Sequence, residues 1–185
     1  MAIVQRSTPI GIDAKISKHQ NHLFNSVAIP VFVNADNWTS YDRAYGNPSQ
    51  GGEVPEYFTG DKDYQEVLFD DRIEMTSFYW MGERQTVLES GLFQSEVSLI
   101  VQARIGDMYP NDGQRYDESL RNQFYFNSQN YYGYDSFRLN GVETGMDNVF
   151  REFYRRNIQL TDMSEKHVFR LNYTVTYTPE CCTGS

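Results

Sequence analysis

The chain has 185 residues, enough for one domain with a real core, since chains of roughly this size bury about 70% of the surface that they expose when unfolded. Its formal net charge of −9, from 25 acidic against 16 basic residues, argues against nonspecific attraction to nucleic acid, and no run of about 18 apolar residues is present to span a membrane. Aromatics reach 15%, with 14 Tyr and 12 Phe, and because Tyr joins an apolar ring to a polar tip, this excess suits half-buried, protein-contacting surface better than a greasy ligand cavity.

The N-terminal MAIVQRSTPIG lacks the apolar centre of a signal peptide, so a soluble chain made in the cytosol is expected. Thr8, Pro9 and Gly11 then punctuate the start of a helix in which Ile12, Ile16, His19 and Leu23 recur at spacings of four, three and four, with Phe24 alongside. His19 and His22 stand three apart, a spacing that chelates a metal when a third ligand converges. None is evident, and one packed and one solvated histidine is the plainer reading.

Val27 to Asn34 is a short β-branched run whose Pro30 demotes it to an edge or bulged strand. Residues 35–60, with Asn47-Pro48, Gly51-Gly52 and Pro55 and little periodicity, read as a long inserted loop, and loops of that length are usually functional or disordered. Trp38, Tyr41, Tyr45, Tyr57 and Phe58 make it a candidate partner surface. Asp61, Asp63, Glu66, Asp70 and Asp71 follow. A divalent-cation site or paired carboxylates is the sharp interpretation, but the offsets fit no EF-hand loop, and charge runs are usually a solvated loop and strand edge.

Ile73 to Trp80 predicts a strand that turns at Gly82 and Glu83. Two stretches alternate with period two: Val97, Leu99, Val101, Ala103 and Ile105 in the strand of 94–105, and Phe169, Leu171, Tyr173, Val175 and Tyr177 in the strand of 167–178. Their apolar faces match. Between them, residues 106–113 predict a turn, Asp117 to Phe126 a helix, and 127–135 a stretch too polar and turn-prone to extend it. Asp147 is placed to cap a second helix with Val149, Phe150, Phe153 and Tyr154, although a β-hairpin over 137–154 also fits. Arg151, Arg155 and Arg156 on its polar side suit a phosphate patch or, more commonly in an acidic chain, pairing groups at a protein contact.

The expected class is α+β, a mixed or antiparallel sheet of about four to five strands with two or three helices packed on one face, in a single domain over 1–178. Residues 179–185 are expected to be a mobile tail carrying the adjacent Cys181 and Cys182, a poor arrangement for a disulfide framework or a metal site. No phosphate-binding glycine loop, zinc-protease, serine-hydrolase or CxxC motif occurs, so no metal, no cofactor and no enzymatic activity are expected, and no catalytic residue is assigned.

The order of helix, edge strand, long loop, strand, helix and final strand, and above all FQSEVSLIVQARIGD at 93–107 and EKHVFRLNYTVTYT at 165–178, resembles the tail terminator and neck ring proteins of tailed bacteriophages. The similarity spans about two thirds of the chain and rests on strand patterns rather than on catalytic residues. It implies a small tail-terminator-like α+β subunit of the virion, assembled in the host cytoplasm, that closes into a ring of on the order of six to twelve copies. Such a ring sits between the head connector and the tail, against portal-adaptor, neck or tail proteins, with DNA passing through without specific binding. The 35–60 aromatics and Arg151 to Arg156 would be its two subunit contacts, and Asp61 to Asp71 its channel lining. Two other readings stand beside it: a carbohydrate-binding or hydrolase-like module using Trp38, the loop tyrosines and the acids of 61–71, and an adaptor for another complex.

Overall fold

The computed structural model describes residues 2–28, 38–49, 52–60, 63–68, 73–108, 116–131, 136–153 and 166–178. Eight strands form one mixed sheet: β1 (Ala2–Val4), β2 (Trp38–Ser49), β3 (Gly52–Gly60), β4 (Asp63–Glu66), β5 (Met75–Val87), β6 (Phe93–Arg104), β7 (Phe137–Thr144) and β8 (Lys166–Tyr177). The path runs β4-β3-β2-β5-β6-β8-β7, with β1 alongside β2. Among the described strands, β1–β2 and β2–β5 pair in parallel and the other pairs are antiparallel. The helices are α1 (Gly11–Leu23), the single turn α2 (Ile105–Met108), α3 (Asp117–Gln129) and the single turn α4 (Met146–Val149).

β6 and β8 are antiparallel neighbours through twelve register pairs, from Phe93 opposite Tyr177 to Arg104 opposite Lys166. Their alternating apolar residues share one face, where Val97, Leu99, Val101, Phe169, Leu171, Tyr173 and Val175 are buried with Ile12, Ile16 and Leu23 of α1 and Leu120 and Phe124 of α3. Fully burying a side chain of this size contributes about 1.5–3 kcal/mol, so these two helices are held by the sheet rather than by their own propensity. Two of the polar groups caught beneath α1 find partners: Gln20 donates to the Ser40 carbonyl at 2.8 Å, and the Trp38 indole N–H donates to Ser77 Oγ at 3.0 Å.

The opposite face has its own core of Tyr41, Tyr57, Val67, Phe78, Trp80, Ile100, Phe150, Phe153 and Val168. Here the sheet curls over itself. Val67, just past β4, accepts a bond from Gln102 Nε2 at 3.3 Å, and Glu53 of β3 forms a parallel bridge with Phe153 beyond α4. The second face of β6 and β8 is therefore covered at Ile100, Gln102, Val168 and Arg170 and more open toward its two ends, at Glu96 and Thr174 and at Arg104 and Lys166.

Several expectations are corrected. The sheet has eight strands among the described residues, more than expected, because much of 35–60 is the hairpin β2–β3 rather than a loop. Pro48, Pro55 and the glycines hide its alternation, and cross-strand pairing overrides their low β propensity. Val27 and Ala28 belong to a π-helical turn, Phe24–Ala28, that continues α1, while 29–34 lie outside the described residues. β5 does not turn at Gly82 but runs on to Val87, absorbing extra residues as an irregularity between Met81 and Gln85.

Residues 106–108 are helical where a turn is expected, that helical turn already starting at Ile105, where the strand is expected to end, and α3 continues through Gln129. Its polar end is held by side-chain bonds, from Asn127 Nδ2 to the Gln123 carbonyl at 2.9 Å and between Ser128 and Tyr173 hydroxyls at 2.8 Å. Among the described residues that follow β7 up to Phe153 stands the turn α4, capped not by Asp147 but by Gly145, whose φ of 85° suits glycine. Tyr154 and 179–185, with Cys181 and Cys182, lie outside the described residues.

Candidate assembly surface

The aromatic residues expected to meet a partner divide in two. Trp38, Tyr41 and Tyr57 are buried in the chain's own core, Trp38 under α1 and α3 and the two tyrosines on the opposite face. This corrects their assignment as contact residues: in a strand, alternate side chains must turn inward. Tyr45 is half-buried, with the guanidinium groups of Arg43 and Arg6 at 4.6 and 5.1 Å from its ring centroid, and its hydroxyl accepts a bond from Arg6. Phe58 stays partly exposed and packs on Tyr64, directly opposite on β4, at 5.1 Å between ring centroids. Tyr64 is 54% exposed.

The same outer face of the β3–β4 arm carries Glu56 opposite Glu66. Like charges held in direct cross-strand register repel, and partial desolvation of its carboxyl together with the Glu56 charge raises Glu66 above its ordinary range, although the residue as a whole is exposed. Asn47 donates to Glu56 at 3.0 Å. Of the acidic residues proposed for a channel, Asp63 and Glu66 lie exposed on β4, whereas Asp61, Asp70 and Asp71 fall outside the described residues.

Two ion networks lock the fold. In one, Asp13 of α1 pairs with Arg6 at 3.1 Å and Arg43 at 3.2 Å, tying the segment after β1 and strand β2 to the helix. Asp42 accepts the Arg6 backbone N–H at 2.9 Å, and burial pushes its carboxyl up to about 6. In the other, Arg170 of β8, only 3% exposed, binds Glu152 bidentately with one arm at 2.9 Å, and donates from Nε to Asn172 at 3.0 Å. Burial works to raise the Glu152 carboxyl, but its bonds to Arg170 and Arg151 prevail and hold it below the ordinary range. Arg151 also grips Glu143 of β7 at 2.8 Å, so it pairs within the chain. Arg155 and Arg156 lie outside the described residues.

His19 is buried, bonds through Nδ1 to the Tyr79 hydroxyl at 2.9 Å, and stacks on Phe137 at 4.1 Å. Burial lowers its pKa far below the usual histidine value, so it is a neutral core residue. His22 instead bonds Asn127 O through Nε2 at 2.9 Å. Among the described residues no cluster of three His, Cys, Asp or Glu suits a metal ion.

No protein-family model matches the chain, and no curated protein matches it in sequence. A cleft of about 690 Å³ between the β2–β3 hairpin and the irregular part of β5 is lined by Arg43, Tyr45, Glu53, Trp80, Arg84 and Glu96 among others. Gly46 makes room in it, since a Cβ there would lie 2.6 Å from a Glu53 carboxylate oxygen. Among the described residues that line it, both charge signs are present and none is histidine, cysteine or serine. Sequence reasoning missed the Glu152–Arg170 pair and the Phe58–Tyr64 pair. Arg170 falls on the polar side of β8 with Asn172, Thr174 and Thr176, so its place in the strand did not mark it as buried.

Proposed function

We propose that the chain is a non-enzymatic structural subunit of a tailed-phage virion, closing with copies of itself into a ring at the neck or the top of the tail, around the DNA channel. The observation that carries this reading is the twelve-pair antiparallel ladder of β6 and β8 under α1 and α3, because those two strands are the ones on which the family resemblance rests. Two further features support it. The ionic clusters that could be taken for chemical sites tie strands and helices to one another, and the acidic arm and net charge of −9 suit a surface that DNA passes without adhering. The carbohydrate reading needs an exposed aromatic platform, and Trp38, Tyr41 and Tyr57 are buried.

Negative-stain electron microscopy of the purified chain, alone and mixed with its neighbouring virion proteins, tests the proposal. Annular particles with a central hole are expected. Isolated subunits in both samples would refute the reading.

A further inference from the structure

The sheet path has two ends, β4 and β7, and among the described residues no strand pairs with the outer edge of either. An unpaired edge is a template for another chain. The two edges differ in charge. β4 carries Glu66, with Glu56 opposite on β3, whereas the charged residues of β7 are Arg138 and Glu143, and Glu143 is already neutralised by Arg151. Arg138 is exposed, with no ion pair or ring contact among the described residues. Two β4 edges would therefore repel each other, while β4 and β7 attract.

The β4 side also holds what an arginine fits. Glu56 and Glu66 face each other uncompensated by a basic residue among those described, and the exposed Tyr64 ring lies beside them on the same face of the arm. A guanidinium there would relieve the carboxylate repulsion and stack on the ring. β7 is interrupted by an irregularity between Leu139 and Gly141, which limits straight pairing to a few residues around Arg138, and β4 is itself only four residues long.

Resting on the ring reading, we propose that the β7 edge of one subunit docks against the β3–β4 arm of the next, with Arg138 seated between Glu56, Glu66 and Tyr64. Both patches are on every copy, at opposite ends of the sheet path, so the contact is heterologous, the kind that generates a ring when the rotation between copies closes.

Sedimentation velocity on the full chain tests this with Arg138→Glu, Glu66→Lys and the double variant, with circular dichroism confirming that each is folded. Each single reversal is expected to weaken assembly at least about tenfold, and the double reversal to restore most of it. If either reversal fails to fold, Arg138→Gln and Glu66→Gln carry the same test with a smaller expected loss. Wild-type protein that assembles while the single variants assemble equally well overturns this junction and leaves the ring intact. A double variant no better than the singles overturns the Arg138–Glu66 pairing. Wild-type protein that stays monomeric, alone and with its neighbours, overturns the ring reading and with it a second copy as the occupant.

Discussion

Arg170, in the middle of β8, holds the carboxylate of Glu152, just past α4, through two bonds, one of 2.9 Å. The two residues are 18 positions apart, and the pair fastens the segment that covers the second face of the sheet. Removing one member leaves the other charge behind. Glu152→Ala strands a guanidinium that is almost fully buried and is expected to cost about 2–3 kcal/mol, less than a wholly buried pair because a third of the Glu152 side chain is exposed. Arg170→Met, which removes the buried charge itself, should cost less. Urea unfolding of the two variants gives the order.

The aromatic residues of β2 and β3 should separate into two classes. Trp38→Ala opens the core beneath α1 and α3 and is expected to lose about 3–5 kcal/mol in equilibrium unfolding. Tyr64→Ser, at an exposed position, should change stability by less than about 0.5 kcal/mol while reducing assembly measured by sedimentation. Equal losses of stability in both would contradict the assignment of Tyr64 to an outer surface.

Acid should weaken the fold through His19. Its folded pKa lies well below that of the unfolded chain, near 6.5, so below about pH 6.5 the unfolded state binds the proton first and stability falls as pH drops. Asp42 acts with the opposite sign. Its folded carboxyl titrates at about 6 against about 4 unfolded, so the folded state takes up the proton first and stability rises as pH falls through that window. Asp42→Asn should remove this rise and be more stable than wild type above pH 6, whereas His19→Phe should flatten the acid loss. Denaturation midpoints measured from pH 4 to 8 separate the two.

Gly145 caps α4 with φ 85° and ψ 139°, a region essentially reserved for glycine. Gly145→Ala is expected to cost about 1–3 kcal/mol in thermal unfolding, although its Cβ would meet nothing closer than Asn148 Nδ2. A neutral result would mean that the turn relaxes to a negative φ.

What could be read in the sequence was periodic burial. α1, β6 and β8 were legible because the spacing of Ile12, Ile16 and Leu23 and the alternation of Val97 to Ala103 and Phe169 to Tyr177 state directly which side faces a core. The β2–β3 hairpin was not, because Pro48, Pro55 and the glycines erase the period and only pairing with β5 and β4 makes it a sheet. The polar side of β8 was legible as polar but not as covered. Whether Arg170 meets water or Glu152 depends on a chain reversal beyond Thr144 that no local pattern encodes. Long-range charge pairs such as Arg43 with Asp13 are hidden for the same reason.

Closure into a ring is tested most directly by native mass spectrometry of the purified chain over a range of concentrations and ionic strengths. One closed oligomer of fixed stoichiometry is expected, on the order of six to twelve copies, with no ladder of larger species. Since a β4–β7 contact joins opposite charges, added salt should shift that oligomer toward monomer. A monomer at every concentration, or an open series of increasing length, would contradict the account.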